Sequence, residues 1–253
     1  LKIHSLFQAG ADIFRLNFSH GNHEDHRKRV FHIRQYEKRL GRPIAILGDL
    51  QGPKIRIGLF KKTYVILKNN QRFVLDLNPK EGDQNRVFLP HKEIFKSVKK
   101  NNKILIDDGK IILNIDKVLS DQIITEVLVG GKISNKKGVN IPETFVKMSS
   151  LTEKDIIDLK FCLDLSLDYI ALSFVQKAKD INDLKKYVGN QTGIMAKFEK
   201  PMAIKNMDEI LQHCDAAMVA RGDLGVEMPP EEVPIIQKKI VQSCRDFGIP
   251  VVV

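Results

Sequence analysis

The sequence contains no tryptophan, only four tyrosines and only three cysteines. The cysteines, Cys162, Cys214 and Cys244, are odd in number and widely spaced, so they fit neither a disulfide framework nor a zinc site. We expect each to be a small buried side chain in a reducing, cytoplasmic setting. No apolar run approaches the length of about 18 residues that a membrane-spanning helix needs, and the first residues do not show the pattern of a signal peptide.

The composition is typical of a folded globular protein with an excess of basic residues. The chain has 253 residues, of which 43% are hydrophobic and 28% are charged, and its formal net charge is +10. A chain of this length can bury a large core. Clustered positive charge favours nucleic acid or phosphorylated ligands, but a lysine-rich surface gives the same total. The charge alone does not select among these interpretations.

Short apolar strands alternate with amphipathic helices along most of the chain, which predicts a parallel α/β sheet, open or closed. The predicted strands are Ile13–Asn17, Ile44–Gly48, Tyr169–Val175, Gly193–Phe198, Ala216–Ala220 and Ile249–Val253. The predicted helices cover residues 23–40, 152–164, 178–188, 203–213 and 231–246. Thr152 is followed three residues later by Asp155, which is the spacing of a capping box at the start of the second of these helices.

Residues 59–137 depart from this alternation. They contain only short strand-like pieces separated by turn signals such as Asp108-Gly109, which predicts a small all-β domain inserted after the second barrel-type strand. The predicted fold class is α/β, an incomplete (β/α)8 TIM-type barrel of residues 1–58 and 138–253. A complete barrel has eight strands and about 250 residues. Because the chain also starts at Leu1 and stops within a strand, we expect it to be an internal segment of a longer protein.

Almost every predicted strand ends in polar residues, and in parallel α/β sheets the chemistry collects at these carboxyl ends. A lysine within a strand is costly to bury unless it is paired. Glu199 lies two residues after Lys197 and therefore faces the same side of the strand, which predicts an ion pair between them. The polar residues at the strand ends are Arg15, Asn17, Ser19, His20, Asp49, Gln51, Lys54, Arg56, Ser173, Lys177, Lys197, Glu199, Arg221 and Asp223.

Two of these residues, Glu199 and Asp223, come from neighbouring strands and have the chemistry of Mg²⁺ ligands. Mg²⁺ takes a few carboxylates and leaves its other positions to water and substrate oxygens. Basic residues beside such a metal are explained if an anionic, phosphorylated substrate lies among them. The residues alone therefore predict a Mg²⁺-dependent enzyme that acts on a small anionic phosphate.

Eight motifs resemble those of the pyruvate kinase family in order and spacing, and they cover essentially the whole chain. They are RLNFSHG (15–21), GDLQGPKIRIG (48–58), IDDGKIIL (106–113), KKGVNIP (136–142), LTEKD (151–155), LSFVQK (172–177), AKFEKP (196–201) and VARGDLGVE (219–227). The resemblance implies a barrel whose inserted β domain, residues 59–137, acts as a lid that excludes water. It also implies transfer of a phosphoryl group between phosphoenolpyruvate and ADP, giving pyruvate and ATP, with Mg²⁺ or Mn²⁺ as cofactor. A cytoplasmic, glycolytic homotetramer that binds neither nucleic acid nor membranes is implied as well.

The resemblance further assigns roles to individual residues. Lys197 resembles the lysine that stabilises the transferring phosphoryl group, and Arg15 the arginine that grips the substrate phosphate. Glu199 and Asp223 resemble the two Mg²⁺ ligands. The other implied contacts are the backbone N–H groups around Arg221, Gly222 and Asp223 for the substrate carboxylate, Asn17, His20, Arg56 and Lys137 for the nucleotide, and Asn17, Ser19, Asp49 and the carbonyl of Leu50 for a monovalent cation.

The chain departs from the potassium-dependent members of the family at Lys54, where those members carry glutamate. It also has Leu50, Gln51 and Ile57 where they carry threonine, lysine and threonine. A lysine ammonium is a compact point charge that could take the place of K⁺. We therefore expect the parent enzyme not to require K⁺, although an exposed lysine with no such role is the alternative.

Two other functions stay open at this point. A Mg²⁺-dependent barrel enzyme that acts on pyruvate enolates, of the aldolase or lyase type, would also need a Glu–Asp metal pair and an arginine, but it would lack the inserted domain and the NFSHG and GPKIR motifs. A non-catalytic basic module that binds RNA would lose affinity steeply as salt rises. For the 253-residue segment by itself we expect aggregation and little activity, because an open barrel exposes strand edges.

Overall fold

The computed structural model describes residues 2–142, 144, 146 and 148–253 of the chain. Its strands are β1 (Ile13–Asn17), β2 (Ala45–Asp49), β3 (Tyr64–Leu67), β4 (Arg72–Asp76), β5 (Arg86–Phe88), β6 (Lys103–Ile106), β7 (Ile111–Val118), β8 (Gln122–Val129), β9 (Gly131–Ser134), β10 (Val139–Asn140), β11 (Tyr169–Leu172), β12 (Gly193–Phe198), β13 (Ala216–Val219) and β14 (Val251–Val252). Its α-helices are α1 (Lys2–Gln8), α2 (His23–Leu40), α3 (Lys92–Ser97), α4 (Glu153–Asp164), α5 (Ala178–Val188), α6 (Pro201–Lys205), α7 (Met207–Leu211), α8 (Arg221–Glu227) and α9 (Val233–Asp246), and a 3-10 turn covers Pro230–Glu232.

The chain divides into two compact units. The first, called the barrel unit, consists of residues 1–53, 149–220 and 235–253. The second, called the β unit, consists of residues 54–148 and 221–234. The predicted insertion, residues 59–137, lies within the β unit, which in addition includes residues 54–58, 138–148 and 221–234.

The barrel unit is built on a parallel sheet whose described strands have the order β1-β2-β11-β12-β13-β14. All the pairings along this sheet are parallel; β1, for example, pairs with β2 so that Asn17 lies opposite Asp49. Parallel pairing makes every strand end at the same edge, so the polar residues that follow the strands are brought together. This is the predicted α/β architecture of an incomplete (β/α)8 barrel. The strands start where predicted to within two residues, although β11 ends three residues before the predicted bound.

The helices of the barrel unit begin and end at residues whose chemistry explains their bounds. Asn22 caps α2, since its side chain accepts a hydrogen bond from the backbone N–H of Asp25, and Gly41 ends the helix in the left-handed conformation at φ 63°. Thr152 and Asp155 form the predicted capping box at the start of α4. The predicted helix at 203–213 is wrong as a single element, because the backbone turns at Asn206 (φ −103°, ψ 22°) and separates α6 from α7.

The β unit has a core of its own. Its larger sheet has the strand order β10-β6-β7-β8-β4-β5, antiparallel except between β4 and β5, and β3 pairs with β9 in a separate two-stranded sheet. Alternate residues of these strands point inward, as the burial pattern of β7 shows. The inward side chains, which include Phe73, Leu75, Ile104, Leu113 and Ile123, are fully buried.

Two features of the sequence can be compared directly with the structure. All three cysteines are buried and unbridged, as expected. Burial raises the pKa of the Cys214 and Cys244 thiols to about 11. Within the described residues, no helix is both long and apolar enough to span a membrane.

The capping box of α4 gives a prediction for stability. Replacing Thr152 with alanine removes the hydroxyl that accepts from the Asp155 N–H and donates to the Asp155 carboxylate. We expect the free energy of unfolding of the full-length protein to fall by about 1 kcal/mol, measured by urea unfolding. Thr152→Ser keeps the hydroxyl and should stay close to the wild type. Equal losses in both variants would contradict a capping role.

Candidate functional site

The carboxyl edge of the barrel-unit sheet holds a buried lysine between two buried carboxylates. The Nζ atom of Lys197 lies 2.7 Å from Oε1 of Glu199 and 3.1 Å from Oδ1 of Asp49, and it donates a hydrogen bond of 2.8 Å to Oγ of Ser173. Lys197 is 7% exposed, while Asp49, Ser173 and Glu199 are 1–2% exposed. The predicted ion pair between Lys197 and Glu199 is confirmed.

The surroundings of Lys197 keep its ammonium charged. Burial alone would lower the pKa of Lys197, but the carboxylates of Glu199 and Asp49 outweigh burial, so the pKa lies above its ordinary value. The three N–H donors of the ammonium have three acceptors, from Ser173, Glu199 and Asp49. The result is a fixed positive charge in a place with little water.

Arg15 extends this network on the side of β1. Its Nε and Nη2 atoms lie 2.6 Å and 2.5 Å from Oδ2 of Asp49, and its side chain is 49% exposed. Asp49 therefore joins Arg15, which is open to solvent, to Lys197, which is not. The network has no net formal charge, because its two cations are matched by two carboxylates, Asp49 and Glu199.

The loops that follow β2 and β11 are held by backbone contacts to buried carboxylates. Glu199 Oε2 accepts from the N–H of Phe174 (3.0 Å), and Asp155 Oδ1 accepts from the N–H of Gly52 (3.0 Å). Phe174 has a left-handed backbone (φ 57°), which is a strained conformation for an aromatic residue and is more frequent at functional sites. Ser173 Oγ donates to the carbonyl of Leu50 (2.8 Å), so this carbonyl, predicted as a cation ligand, already has a donor.

Neither Phe174 nor the contact between Asp155 and Gly52 was predicted from the sequence. The three-residue spacing of Thr152 and Asp155 indicated the helix cap, but no local pattern indicates that the second carboxylate oxygen reaches a loop 103 positions away. The left-handed backbone of Phe174 has no sequence signal either, because glycine is the residue expected there.

The loop after β1 carries the other predicted residues of the barrel unit. Asn17 Oδ1 accepts from the Ser19 N–H (2.9 Å), and the Asn17 carbonyl accepts from the His20 N–H (3.2 Å). His20 is exposed, and Asn17 and Ser19 are half-buried. The structure thus brings Arg15, Asn17 and Ser19 onto one strand end, beside the strand that carries Asp49.

The remaining predicted residues lie in the β unit. Lys137 Nζ is 2.8 Å from Oδ1 of Asp107, and this hydrogen bond holds the pKa of Asp107 below its ordinary value. Arg56 donates through Nη1 to the carbonyl of Lys136 (2.9 Å), and Lys54 is half-buried. The two predicted nucleotide contacts of this unit, Arg56 and Lys137, therefore come from adjacent segments, since Arg56 also bridges to Gly138.

The segment after β13 is a short helix that the sequence analysis did not predict. Arg221, Gly222 and Asp223 are exposed in the first turn of α8, where backbone N–H groups have no partner within the helix. At the other end of α8 the buried Glu227 accepts a hydrogen bond of 2.6 Å from Nδ2 of Asn140. The two glycines of RGDLGVE lower its helix propensity, which is why the sequence gives little signal for this helix.

The carboxylates of the site determine whether a divalent metal fits it. Among the described residues, no group of three His, Cys, Asp or Glu side chains is gathered for a metal. Mg²⁺ needs only one or two carboxylates when substrate and water supply the other oxygens. Glu199 is such a carboxylate at the carboxyl edge of the barrel unit, and Asp223 is an exposed one in the β unit. The donor chemistry fits Mg²⁺.

Comparison with known proteins identifies the family. The family described as "Pyruvate kinase, barrel domain" matches residues 1–253. The chain is 49% identical over 251 residues to a pyruvate kinase of Methylorubrum extorquens, with 99% of this chain and 52% of the relative aligned. It is 49% identical over 253 residues to one from Agrobacterium vitis (99% and 53%) and 42% identical over 251 residues to one from Corynebacterium glutamicum (98% and 53%). The chain spans about half the length of these curated relatives, and it belongs to the pyruvate kinase family.

Proposed function

We propose that the protein containing this chain is a Mg²⁺-dependent pyruvate kinase, which transfers a phosphoryl group between phosphoenolpyruvate and ADP. The observation that carries the proposal is Lys197, a charged lysine buried between Asp49 and Glu199 at the carboxyl edge of the sheet. Family membership over the full chain supports the same activity. We further propose that the enzyme acts in glycolysis, in the cytoplasm, as a homotetramer.

Lys197 is proposed to stabilise the phosphoryl group during transfer. The transition state spreads negative charge over the equatorial phosphoryl oxygens, so a fixed cation beside them lowers the barrier. Of the contacts of Lys197 to carboxylates, the one to Asp49 is longer, at 3.1 Å against 2.7 Å. We infer that this N–H is the one exchanged for a phosphoryl oxygen, while Glu199 and Ser173 hold the ammonium in place.

Arg15 is proposed to bind the substrate phosphate. Asp49 holds the Nε and Nη2 atoms of its guanidinium, which fixes the plane of the group and leaves Nη1 for a phosphate oxygen. The side chain is half exposed, so a small ligand can reach it. Asp49 thus contacts both cations, and it would keep the guanidinium of Arg15 in place while the ligand binds and leaves.

Glu199 and Asp223 are the residues proposed to hold Mg²⁺. When bound, the metal would neutralise charge on the substrate oxygens and act as a Lewis acid. The backbone N–H groups of Gly222 and Asp223 are proposed to bind the substrate carboxylate. Oε1 of Glu199 contacts Lys197 and Oε2 accepts from the N–H of Phe174, so the carboxylate is held in one orientation.

The nucleotide is proposed to contact Asn17 and His20 in the barrel unit and Arg56 and Lys137 in the β unit. Arg56 and Lys137 are cations from adjacent segments of the β unit, which suits a diphosphate. Residues 59–137 are proposed to act as a lid that excludes water, so that the phosphoryl group is not lost to hydrolysis.

Lys54 is proposed to replace K⁺. The proposal rests on the family resemblance, in which potassium-dependent members carry glutamate at this position, and on the charge of the ammonium. The predicted cation ligands are Asn17, Ser19, Asp49 and the Leu50 carbonyl. In the barrel unit, Asp49 is in contact with Arg15 and Lys197, and the Leu50 carbonyl with Ser173, so these two predicted ligands already have donors.

The 253-residue segment is proposed to have little activity by itself. It spans about half of its relatives, and β1 and β14 stand at the two edges of its described parallel sheet. Unpaired strand edges favour association between chains. The experiments below therefore use the full-length protein.

The first experiment tests Lys197. In a lactate-dehydrogenase-coupled assay, Lys197→Met should lower kcat about 100- to 1,000-fold, because one charged donor to the transition state is lost. Removing Mg²⁺ with a chelator should abolish wild-type turnover, and adding it back should restore it. A circular dichroism spectrum of the variant checks that the fold persists.

The matched control is Lys179→Met. Lys179 is an exposed lysine of α5 that pairs only with Asp183 among the contacts the structure gives it, so kcat should stay within about twofold of the wild type. Wild-type kcat in a folded Lys197→Met variant would refute the role of Lys197. A wild-type protein that turns over phosphoenolpyruvate without Mg²⁺ would refute the proposed requirement for the metal.

The second experiment tests Lys54. The wild type should be equally active in K⁺ and in tetramethylammonium at the same ionic strength. Lys54→Glu should be active only in K⁺, because it replaces the ammonium with a carboxylate that can help to bind a cation. Lys61→Glu, an exposed lysine of the same unit, should gain no such dependence. A strong K⁺ requirement in the wild type would sink the proposal.

A further inference from the structure

The loop after β1, residues Phe18–Gly21, has little hydrogen bonding of its own to fix it. The Phe18 N–H donates to the carbonyl of Asp49 (3.0 Å), and the Ser19 and His20 N–H groups donate to Asn17. Gly21 then turns the chain with a left-handed backbone (φ 78°). These bonds use the N–H groups of Phe18, Ser19 and His20, and the carbonyl groups of the loop need donors from elsewhere.

Two side chains from two different helices supply these donors. Lys154 of α4 donates through Nζ to the carbonyl of Phe18 (2.8 Å), and Nε2 of His26 in α2 lies 3.0 Å from the carbonyl of His20. All four residues belong to the barrel unit. The loop is therefore held from both ends, one carbonyl group by each helix.

His26 is fixed as a neutral donor. It is 1% exposed, its ring packs on Phe18 with 4.5 Å between centroids, and Nη1 of Arg29 donates to its Nδ1 (3.2 Å). Burial lowers the pKa of His26 below its ordinary value. Since Nδ1 accepts from Arg29, the single ring proton lies on Nε2 and points to the carbonyl of His20.

Lys154 is fixed by a buried carboxylate. Its Nζ lies 2.5 Å from Oδ2 of Asp158, whose other oxygen is 2.7 Å from Nε2 of His23. The ring of His23 in turn stacks on Phe161 with 4.1 Å between centroids. Asp158 is 4% exposed, so it can hold the ammonium in one position even though half of the Lys154 side chain faces solvent.

We propose that His26 and Lys154 are positioning residues for the nucleotide, acting by holding the loop Phe18–Gly21. The inference rests on the proposed function, in which His20 and Asn17 bind the nucleotide. The hydrogen bonds and the ion pair described above join His26 and Lys154 to Phe18, His20, Arg29 and Asp158, and none of these is proposed to contact phosphoenolpyruvate or the transferring phosphoryl group except through the loop. Loss of either hydrogen bond should therefore weaken ADP binding without lowering the chemical step or the binding of phosphoenolpyruvate.

The experiment compares removing each hydrogen bond with keeping it, in the full-length protein. His26→Leu and Lys154→Met remove the donors. His26→Gln places an amide N–H near the position of Nε2, and Lys154→Arg keeps a cationic donor. We expect KM for ADP to rise about three- to tenfold in the Leu and Met variants, as for one lost hydrogen bond. Their kcat and KM for phosphoenolpyruvate should stay within about twofold, and the Gln and Arg variants should recover most of the ADP affinity.

Matched controls come from the same helices. His32→Leu in α2 and Lys160→Met in α4 remove exposed side chains of the same types, and both should leave all kinetic constants unchanged. Amide hydrogen exchange of residues 18–21 gives a readout independent of activity. Exchange should be faster in His26→Leu and Lys154→Met than in the wild type, and the controls should match the wild type.

The outcomes separate this inference from the proposed function. An unchanged KM for ADP in both His26→Leu and Lys154→Met would overturn the inference. It would also be overturned if these variants lost kcat and thermal stability and raised both KM values together, and His26→Gln and Lys154→Arg failed to restore them. If the wild type turns over no ADP, the proposed function fails. Hydrogen exchange then decides the remaining point, because unchanged protection of residues 18–21 in both variants refutes the positioning of the loop itself.

Discussion

The buried charge network around Lys197 is the interaction on which the rest of the site depends. Lys197 has two carboxylates and a hydroxyl as partners, and removing it would take a buried cationic partner from Glu199 and from Asp49, which would keep Arg15. Breaking a buried ion pair by removing one partner typically costs about 3–5 kcal/mol, so Lys197 and its carboxylates stabilise one another. Asp49 links the network to Arg15, and Glu199 links it to the backbone of Phe174. One ammonium thereby sets the geometry of three strand ends.

The parallel sheet explains why this network forms at a single place. Asp49, Lys197 and the residues after β11 are far apart in sequence, yet their strands are β2, β12 and β11, which are neighbours in the sheet. Lys197 crosses the intervening strand to reach Asp49, and Ser173 fills the space between them with a hydroxyl that bonds to both Lys197 and the Leu50 carbonyl. A long, flexible lysine side chain suits this span, whereas a guanidinium would bring a rigid fork.

Local patterns predicted those features of the fold and site that depend on neighbours in sequence. The alternation of a strand placed Glu199 beside Lys197, and the spacing of Thr152 and Asp155 predicted the capping box, and both are present. Contacts between strands that are distant in the sequence have no such local pattern. That Asp49 bridges Arg15 and Lys197 follows from the order of the strands, which composition and spacing do not contain. The helix α8 was missed because its two glycines lower helix propensity, while a packed residue such as Leu224, fully buried, outweighs that cost.

The first turn of α4 shows how a capping residue can also shape a functional loop. Capping boxes usually place glutamate or glutamine at the third helical position, but here the residue is Asp155. Its Oδ2 accepts from the N–H and the hydroxyl of Thr152, and its Oδ1 accepts from the buried N–H of Gly52. Gly52 has φ 69°, and a Cβ there would lie 2.6 Å from the ring of Phe174, so the turn needs glycine. Without Asp155 the N–H of Gly52 would be buried and unpaired. Since Lys154, one residue earlier, holds the carbonyl of Phe18, adjacent residues of α4 fix the loops that follow β1 and β2. The start of α4 therefore holds the two loops that follow the strand ends carrying Asn17 and Asp49.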